Sequence, residues 1–398
     1  MATEPRPPLE TLPAASARAA LSAFFVTGLL LSFLGPIIPA WGYHREFRFD
    51  ILGHYFLSMN AGVLAAGFAA PRWLISRGTK TGVVAGCAIS GAALLFLALF
   101  SPPASAWWRV LGLFWLGAGA GLLSSSAFHA ITSAYRHNPA ATVNLANILF
   151  GLGCLTTSLL VAGTFYVYTV PSIVFLLAMV PLLLTARFGR ARLESPPPVL
   201  HPPVGQVLAD FRNPAAVLLS LLLFFQFGNE WAIAGWLPIF LIQRIGTSPA
   251  TAIWMLSLFW TALLAGRVLA QPVLPRLDHR KFLLMSVLSA MFGCLMLRFT
   301  NNALGAGVGV LLAGIGFAAI YPLVVEMIGA RFPYYHPGIF NGIFSIAVTG
   351  GFLAPATLGY FASQLGVSVV MWLPMAGAFL VFFIVLLIWL EARLSGAR

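Results

Sequence analysis

Charged side chains are scarce in this sequence. They make up 8% of its 398 residues, whereas hydrophobic residues make up 60% and the mean hydropathy is +0.93. A water-soluble domain carries about a quarter charged residues, because polar groups must cover its surface. A chain with so little charge cannot do this. We therefore expect a membrane protein, with the hydrocarbon of a bilayer around most of its surface.

Cysteine is also rare, and motifs for catalysis are missing. Cys87, Cys154 and Cys294 lie in apolar runs without metal-ligand spacing, and we interpret them as packing residues. The sequence contains no HExxH, no GxSxG and no GxxxxGK[ST] motif, which argues against a membrane hydrolase and against direct use of a nucleotide. We predict a protein that is not an enzyme and has no metal or other cofactor.

Basic residues outnumber acidic ones, 22 against 10, so the formal net charge is +12. If the apolar runs form twelve spans with both termini on one side, seventeen basic residues fall on that side and five on the other. This asymmetry is the positive-inside bias, and it predicts cytoplasmic termini. It also explains the positive charge without a nucleic-acid partner. We expect a multi-pass protein of a cell membrane, the bacterial inner membrane, that functions as a monomer in the lipid bilayer.

The order of the apolar runs predicts an all-α membrane protein: twelve transmembrane helices in two six-helix, pseudo-symmetric halves. The predicted halves are residues 1–188 and 214–398, and the proline-rich segment 189–213 is interpreted as a cytoplasmic linker. Two such halves place a solute site at their interface near the bilayer midplane. The halves share glycine motifs in helices 4 and 10, namely Gly117-x-Gly119 and Gly314-x-Gly316.

Twelve spans in two halves, with a basic loop after helices 2 and 8, resemble the major facilitator superfamily. The resemblance implies a secondary transporter that moves a small solute by alternating access. The fucose permease of this superfamily has acids in helices 1 and 4, and the corresponding positions here are Gly35 and Ser124. Three stretches are similar to the fucose permease-like branch, which includes glucose/mannose proton symporters: Arg77-Gly78-Thr79-Lys80-Thr81-Gly82, Gly228-Asn229-Glu230 with Gly235-Trp236, and Gly266-Arg267 with Arg276.

Glu230 lies near the middle of the seventh span. A charge at the bilayer centre costs about 2.5–3.5 kcal/mol on insertion scales, so its presence indicates a function. Gln226, Asn229 and Trp236 fall with it inside an arc of about 140° on a helix, a face that we expect to line a water-filled cavity. We predict that Glu230 carries the coupling proton. The alternative is a neutral carboxylic acid hydrogen-bonded to another helix. Trp231 lies on the other side and is assigned to packing.

Other polar and aromatic side chains are candidates for solute binding. Asn147 of helix 5 and Asn341 of helix 11 can hydrogen-bond sugar hydroxyls, although membrane amides equally join helix to helix. Tyr321 and Trp260, like Trp236, can stack on a sugar ring, although most membrane aromatic residues pack or sit at the interface.

Glu326 lies toward the cytoplasmic end of helix 10. It is similar to the acidic residue of sugar porters that pairs with loop arginines to close the inward gate, so we predict a two-state ion-pair latch. The predicted gating residues are Glu326, its candidate partners Arg267, Arg276 and Arg280, and Arg77 and Lys80 of the loop after helix 2.

These observations favour a secondary active transporter of a small polar solute, a sugar or polyol, coupled to protons through Glu230. The alternative is a proton-coupled exporter of amphipathic drugs or lipids from the same superfamily. The 33 phenylalanines and the missing acids in helices 1 and 4 keep that alternative open, because a greasy cavity with one carboxylate suits such compounds.

Overall fold

The computed structural model describes residues 14–45, 48–131, 139–191, 211, 213–273, 278–332 and 337–394. Within these ranges the chain is helical, and helices are connected by short turns. Most of the predicted linker, residues 189–213, lies outside the described residues. The helices are α1 (Ala14–Leu31), α2 (Leu34–Ala40), α3 (Phe49–Leu99), α4 (Ala106–Ala130), α5 (Pro139–Thr164), α6 (Val170–Arg190), α7 (Pro214–Ile245), α8 (Pro249–Val273), α9 (His279–Phe299), α10 (Ala303–Arg331), α11 (Pro337–Leu365) and α12 (Val369–Leu394).

Two features reconcile these helices with twelve membrane crossings. The 51-residue helix α3 is two spans joined at Gly78, whose φ of 81° and ψ of 166° are not helical. In the opposite sense, α1 and α2 form one span interrupted at Ser32 and Phe33, because Pro36 has no N–H to donate to the turn before it. Among the described residues, eleven helices are long and apolar enough to cross a membrane, and the twelfth span lies within α3.

The two glycine motifs pack in equivalent ways and make the pseudo-symmetry of the halves visible. Gly117 of α4 meets the backbone of the first span of α3, and Gly314 of α10 meets the backbone of α8. Two residues later, on the opposite face of each helix, Gly119 contacts the second span of α3, and Gly316 contacts α9. At each position a Cβ atom would collide with backbone. The glycines therefore allow α4 and α10 to lie wedged between the same pair of helices in each half.

The halves meet along α3 with α11, α5 with α8, and α2 with α7. We call the side of the bundle where α1 begins and α12 ends the terminal side, and the opposite side the distal side. On the distal side the halves are in close contact. Gly35 of α2 packs against the backbone of α7, Gly53 of α3 packs against Gly359 of α11, and the Phe56 ring stacks on Trp236 with centroids 5.6 Å apart. The distal side is therefore closed by helix contacts.

Candidate functional site

A buried ion pair lies where the two halves meet. The Arg267 Nη2 atom of α8 donates to Glu230 Oε1 of α7 at 3.3 Å, and its Nη1 donates at 3.2 Å to the backbone oxygen of Asn147 in α5 of the other half. Glu230 is 4% exposed and Arg267 is 3% exposed. We call Glu230, Arg267 and Asn147 the central site. Arg267 therefore bonds to Glu230 in its own half and to Asn147 in the other half. Through Arg267, the charge of Glu230 is linked to the contact between the halves.

The side-chain atoms of the central site are incompletely hydrogen-bonded. Within the described part of the chain, Glu230 Oε2, Arg267 Nε and Asn147 Nδ2 are buried without a protein partner. The same holds for both amide atoms of Gln226, one turn before Glu230, and for Nε1 of Trp260. Buried polar groups in proteins are nearly always hydrogen-bonded, so such a concentration of unsatisfied atoms indicates groups that bind water or a solute.

Aromatic rings surround this polar centre. The Trp231 ring lies 6.0 Å from Phe150 of α5 and 6.2 Å from Trp260 of α8, measured between centroids. Trp260 therefore contacts the residue that follows Glu230 in α7, and its role in solute binding stays a prediction. Trp231, which we expected to pack away from the site, also faces the interface between the halves, and Phe150 was not expected here. Trp231 and Phe150 are recognised as residues of this interface only through the rings on other helices that they contact.

A second aromatic group lies nearer the terminal side. In the second half, Phe227 is 5.2 Å from Tyr321, and Phe344 is 6.2 Å from Phe227. In the first half, Phe24 is 4.9 Å from Phe128, and Phe128 reaches Phe344 across the interface at 6.0 Å. We call these five residues the inner aromatic cluster. It brings Tyr321 to the interface of the halves, in contact with other rings.

The predicted polar face of α7 does not line a single cavity. Glu230 faces α8, whereas the Asn229 side chain lies against Gly377 of α12. Trp236 is fully buried on the distal side, where its Nε1 donates to the Pro355 oxygen at 2.9 Å. The expectation of one cavity-lining arc is therefore wrong for Asn229 and Trp236. An arc of about 140° on a helix that is surrounded by neighbours is shared among several of them.

The charge contacts of Glu326 also differ from the expectation. Glu326 Oε1 lies 3.2 Å from His279 Nδ1 of α9, with both side chains about two-fifths exposed (43% and 41%). This contact joins two helices of the same half. Arg267, a predicted partner of Glu326, instead pairs with Glu230 in the interior, less than two turns before the end of α8 at Val273. Arg267 pairs with Glu230 because of the direction in which its side chain extends from α8. The spacing of residues along the sequence does not show this direction.

The other predicted gating and binding residues lie as follows. Arg77 is exposed, and its guanidinium stacks 4.8 Å from the Trp73 ring centre, while Lys80 is half-buried in the same bend. The side chain of Arg280 is exposed, and its backbone N–H is capped by Asp278. Two predictions, Arg276 and the side chain of Asn341, lie outside the described residues.

A second buried arginine escaped the sequence analysis. Arg109 of α4 is 4% exposed and donates from Nε to the Tyr55 hydroxyl at 2.8 Å and from Nη2 to the Tyr43 hydroxyl at 3.1 Å. Its Nη1 donates to the backbone oxygens of Phe100 and Ala104. These bonds tie the segment after α2 to α3 and α4 on the distal side. Arg109 is thus satisfied within the first half and stabilises it.

Comparisons with known proteins agree with this architecture. The Major Facilitator Superfamily model matches residues 146–348 and 219–397. The glucose/mannose transporter GlcP of Bacillus subtilis (strain 168) is 23% identical over 283 residues, which are 68% of this chain and 70% of that protein. The protein TsgA homolog of Buchnera aphidicola subsp. Baizongia pistaciae (strain Bp) is 20% identical over 357 residues, 87% of this chain and 88% of that protein.

A solved structure shares the whole fold. The crystal structure of the E. coli fucose:proton symporter FucP superimposes with a TM-score of 0.63, covering 94% of this chain and 98% of that one at 15% identity. At this identity the likeness establishes the fold alone. The family model, in contrast, extends over more than half of the sequence, from residue 146 to residue 397. The chain therefore belongs to the major facilitator superfamily, as a multi-pass membrane transporter rather than an enzyme.

Proposed function

We propose that this protein transports a sugar-like, hydroxyl-rich solute together with a proton, by alternating access to the central site. The observation that carries the proposal is the buried Glu230–Arg267 pair at the contact between the halves. An ion pair for stability alone has no need to lie there. A pair that bridges toward the other half through the Asn147 oxygen can respond to both a proton and a solute.

The composition of the site supports a polyhydroxylated solute. Sugars are bound by a few convergent polar groups next to aromatic rings, which cover the apolar faces of the sugar. Gln226, Asn147 and Trp260 offer amide and indole atoms that have no partner among the described residues, and Trp231 and Phe150 offer ring faces. Two similar proteins are named as a glucose/mannose transporter and a fucose:proton symporter, which is consistent with this solute class.

Alternating access is supported by the positions of the contacts between the halves. The distal contacts, among them Gly53 with Gly359 and Phe56 with Trp236, separate the central site from that side. The inner aromatic cluster lies between the site and the terminal side. Rocking of one half against the other would loosen one set of contacts at a time and expose the site to each side in turn.

The test of proton coupling is Glu230→Gln in reconstituted vesicles. We expect this variant to lose accumulation driven by a pH gradient while keeping exchange of solute across the membrane, because the amide retains the shape of the carboxylate but cannot carry the proton. Asp50→Asn, the same chemical change at a surface acid paired with exposed Arg48, serves as the matched control and should behave as wild type. Gradient-driven accumulation that survives in Glu230→Gln would remove Glu230 from the coupling mechanism.

Export of amphipathic compounds is the second candidate. The rings of the inner aromatic cluster and of Trp231, Trp260 and Phe150 favour it, since a cavity walled by aromatic residues suits apolar ligands. A ligand that binds the folded state raises its apparent melting temperature by mass action. We expect sugars or their derivatives, and not lipophilic cations, to raise the melting temperature of the purified protein. Stabilisation by lipophilic cations alone would favour the exporter.

A further inference from the structure

The charged groups of the central site are few, and their charges balance. Among the described residues, the charged or titratable side chains that interact with Glu230 are Arg267 of α8 and the thiol of Cys154 in α5. On α10, the ring of Tyr321 packs on Phe227, about one turn before Glu230. With Glu230 ionised and Arg267 protonated, the site has no net charge. This balance matches its burial, since an unpaired buried charge is strongly unfavourable.

Carrying a proton on Glu230 breaks that balance. Arginine stays protonated in proteins, so neutralising Glu230 leaves Arg267 as a buried cation with no anionic partner in the site. A neutral sugar cannot supply the missing charge. An anionic solute can, and it would bind best in the protonation state that coupling requires.

We propose that the solute carried with the proton is itself an anion, a sugar acid or similar polyhydroxy carboxylate, whose carboxylate replaces that of Glu230 at Arg267. This inference rests on the proposed function and narrows its solute class. The hydroxyl groups of the solute bind the unsatisfied atoms of Gln226, Asn147 and Trp260. Proton and anion then cross together, and the site is neutral both when it is empty and when it is loaded.

The geometry of Arg267 fits this exchange. The Nε and Nη2 atoms form one edge of a guanidinium, an edge that binds both oxygens of a carboxylate. Glu230 uses only Nη2 on this edge, through one oxygen and at 3.3 Å, while Arg267 Nε and Glu230 Oε2 have no protein partner among the described residues. A charge-assisted bond is usually about 2.7–2.9 Å long. The resident pair is therefore long and single, and a free carboxylate can form two bonds in its place.

Binding of matched solutes to the purified full-length protein tests the proposal. The pairs are D-gluconate with D-glucitol and D-galacturonate with D-galactose, each at equal ionic strength, followed by thermal stability and calorimetry. We expect the acid of a pair to bind more tightly than its neutral partner by about tenfold or more, the size of one charge-assisted contact. Equal binding of acid and neutral partner would overturn the inference and leave the proposed sugar transport intact.

Two variants separate charge recognition from folding. Glu230→Gln removes the competing carboxylate and should tighten binding of the acid, because Arg267 then has no internal partner. The double variant Glu230→Gln/Arg267→Gln replaces the pair with neutral groups of similar size, so it keeps the site balanced if Arg267→Gln alone fails to fold. In the double variant the preference for the acid should vanish. A preference that survives there would place the anion elsewhere and overturn the inference.

Transport current gives an independent readout. A proton that moves with a monovalent anion carries no net charge, whereas a proton that moves with a neutral sugar carries one positive charge. We expect proteoliposomes to take up radiolabelled gluconate. The same proteoliposomes on a solid-supported membrane should give no inward transport current when gluconate is added. A current that accompanies uptake of a neutral sugar would contradict the proposal of an anionic solute. It would support symport of a proton with a neutral sugar. If neither acids nor sugars bind or move, the proposed function fails together with this inference.

Discussion

At the scale of single residues, Glu230 and Arg267 make each other tolerable in the bilayer interior. Each is almost fully buried, and even as a pair each keeps one polar atom without a partner among the described residues. Removing one partner from such a pair leaves an uncompensated charge, whereas replacing both with neutral groups is far less costly. The pair therefore has a measurable signature in protein stability, apart from any effect on transport.

Arg267→Ala should lower the stability of the protein by about 3–5 kcal/mol, because it leaves the Glu230 carboxylate buried and unpaired. Adding Glu230→Gln to this variant should recover a large part of the loss. Thermal unfolding in detergent measures both, and the four proteins together form a double-mutant cycle. Additive effects of the two substitutions would mean that the residues do not interact in solution.

At the scale of helices, the bend at Gly78 decides how α3 forms two spans. Its φ of 81° belongs to a region of backbone conformation that glycine adopts freely and that other residues avoid. The second span of α3 can then turn back and pack on α4, where Gly82 lies against Ser126. Thr79, directly after the bend, hydrogen-bonds to His129 of α4 at 2.9 Å and holds the turn in place.

We expect Gly78→Ala to lower stability by about 1–3 kcal/mol, the cost of placing a Cβ atom in an extended, positive-φ conformation that essentially only glycine adopts. Gly67→Ala is the matched control: it lies in the first span of α3 with helical geometry, and no atom of the described residues lies within 4 Å of the added methyl group. That variant should be neutral or slightly stabilising, since alanine favours helix. Equal melting temperatures for the two variants would show that the bend is not strained by a side chain.

At the scale of the whole molecule, glycine contacts hold the distal side closed. Gly359 of α11 lies against the backbone of Gly53 in α3, so the two helices touch without side chains between them. At this contact, the backbones of the two helices lie directly against each other. A single methyl group there affects the relative position of the halves, because backbone atoms on both sides cannot move aside.

Gly359→Ala should therefore shift the protein toward a form that is open on the distal side. Val167 and Leu304 are both exposed near the distal ends of their halves. Spin labels on cysteines introduced at these two positions can report the distance between the halves by double electron–electron resonance. We expect a longer distance population in Gly359→Ala. Gly163→Ala in α5 is the control, because the added methyl group has no neighbour within 4 Å in the part of the chain that the structure describes, and it should keep the distances of the parent. Unchanged distances in Gly359→Ala would show that this contact does not control opening.

Much of the architecture could be predicted because its physical causes are local. The scarcity of charge implies a bilayer, the apolar runs give the number of spans, and the motifs around Gly117 and Gly314 mark the repeat. The resemblance of the chain to the major facilitator superfamily is confirmed by the family model, which matches residues 146–348 and 219–397. Orientation by the positive-inside bias stays a prediction, since the described contacts do not depend on which side is cytoplasmic.

The composition of the central site could be predicted only in part. Glu230 stands out in a sequence because a carboxylate in an apolar run has few explanations. Its partner does not, since Arg267 lies 37 positions away and resembles the other basic residues near helix ends. The same limit applies to Trp231 and Phe150, which are ordinary membrane aromatic residues until the helices bring them together.

By itself, then, the sequence determined that the surroundings are lipid, the number of spans and the twofold repeat, and it singled out the acid that we predict to be functional. These follow from composition and periodicity, which each segment carries alone. Only the tertiary structure decided that Arg267 faces Glu230 and not Glu326, that Asn229 and Trp236 turn to other helices, and that glycines close the distal side. Such partnerships depend on the rotation and crossing of neighbouring helices, and in a largely apolar bundle small differences in packing set both.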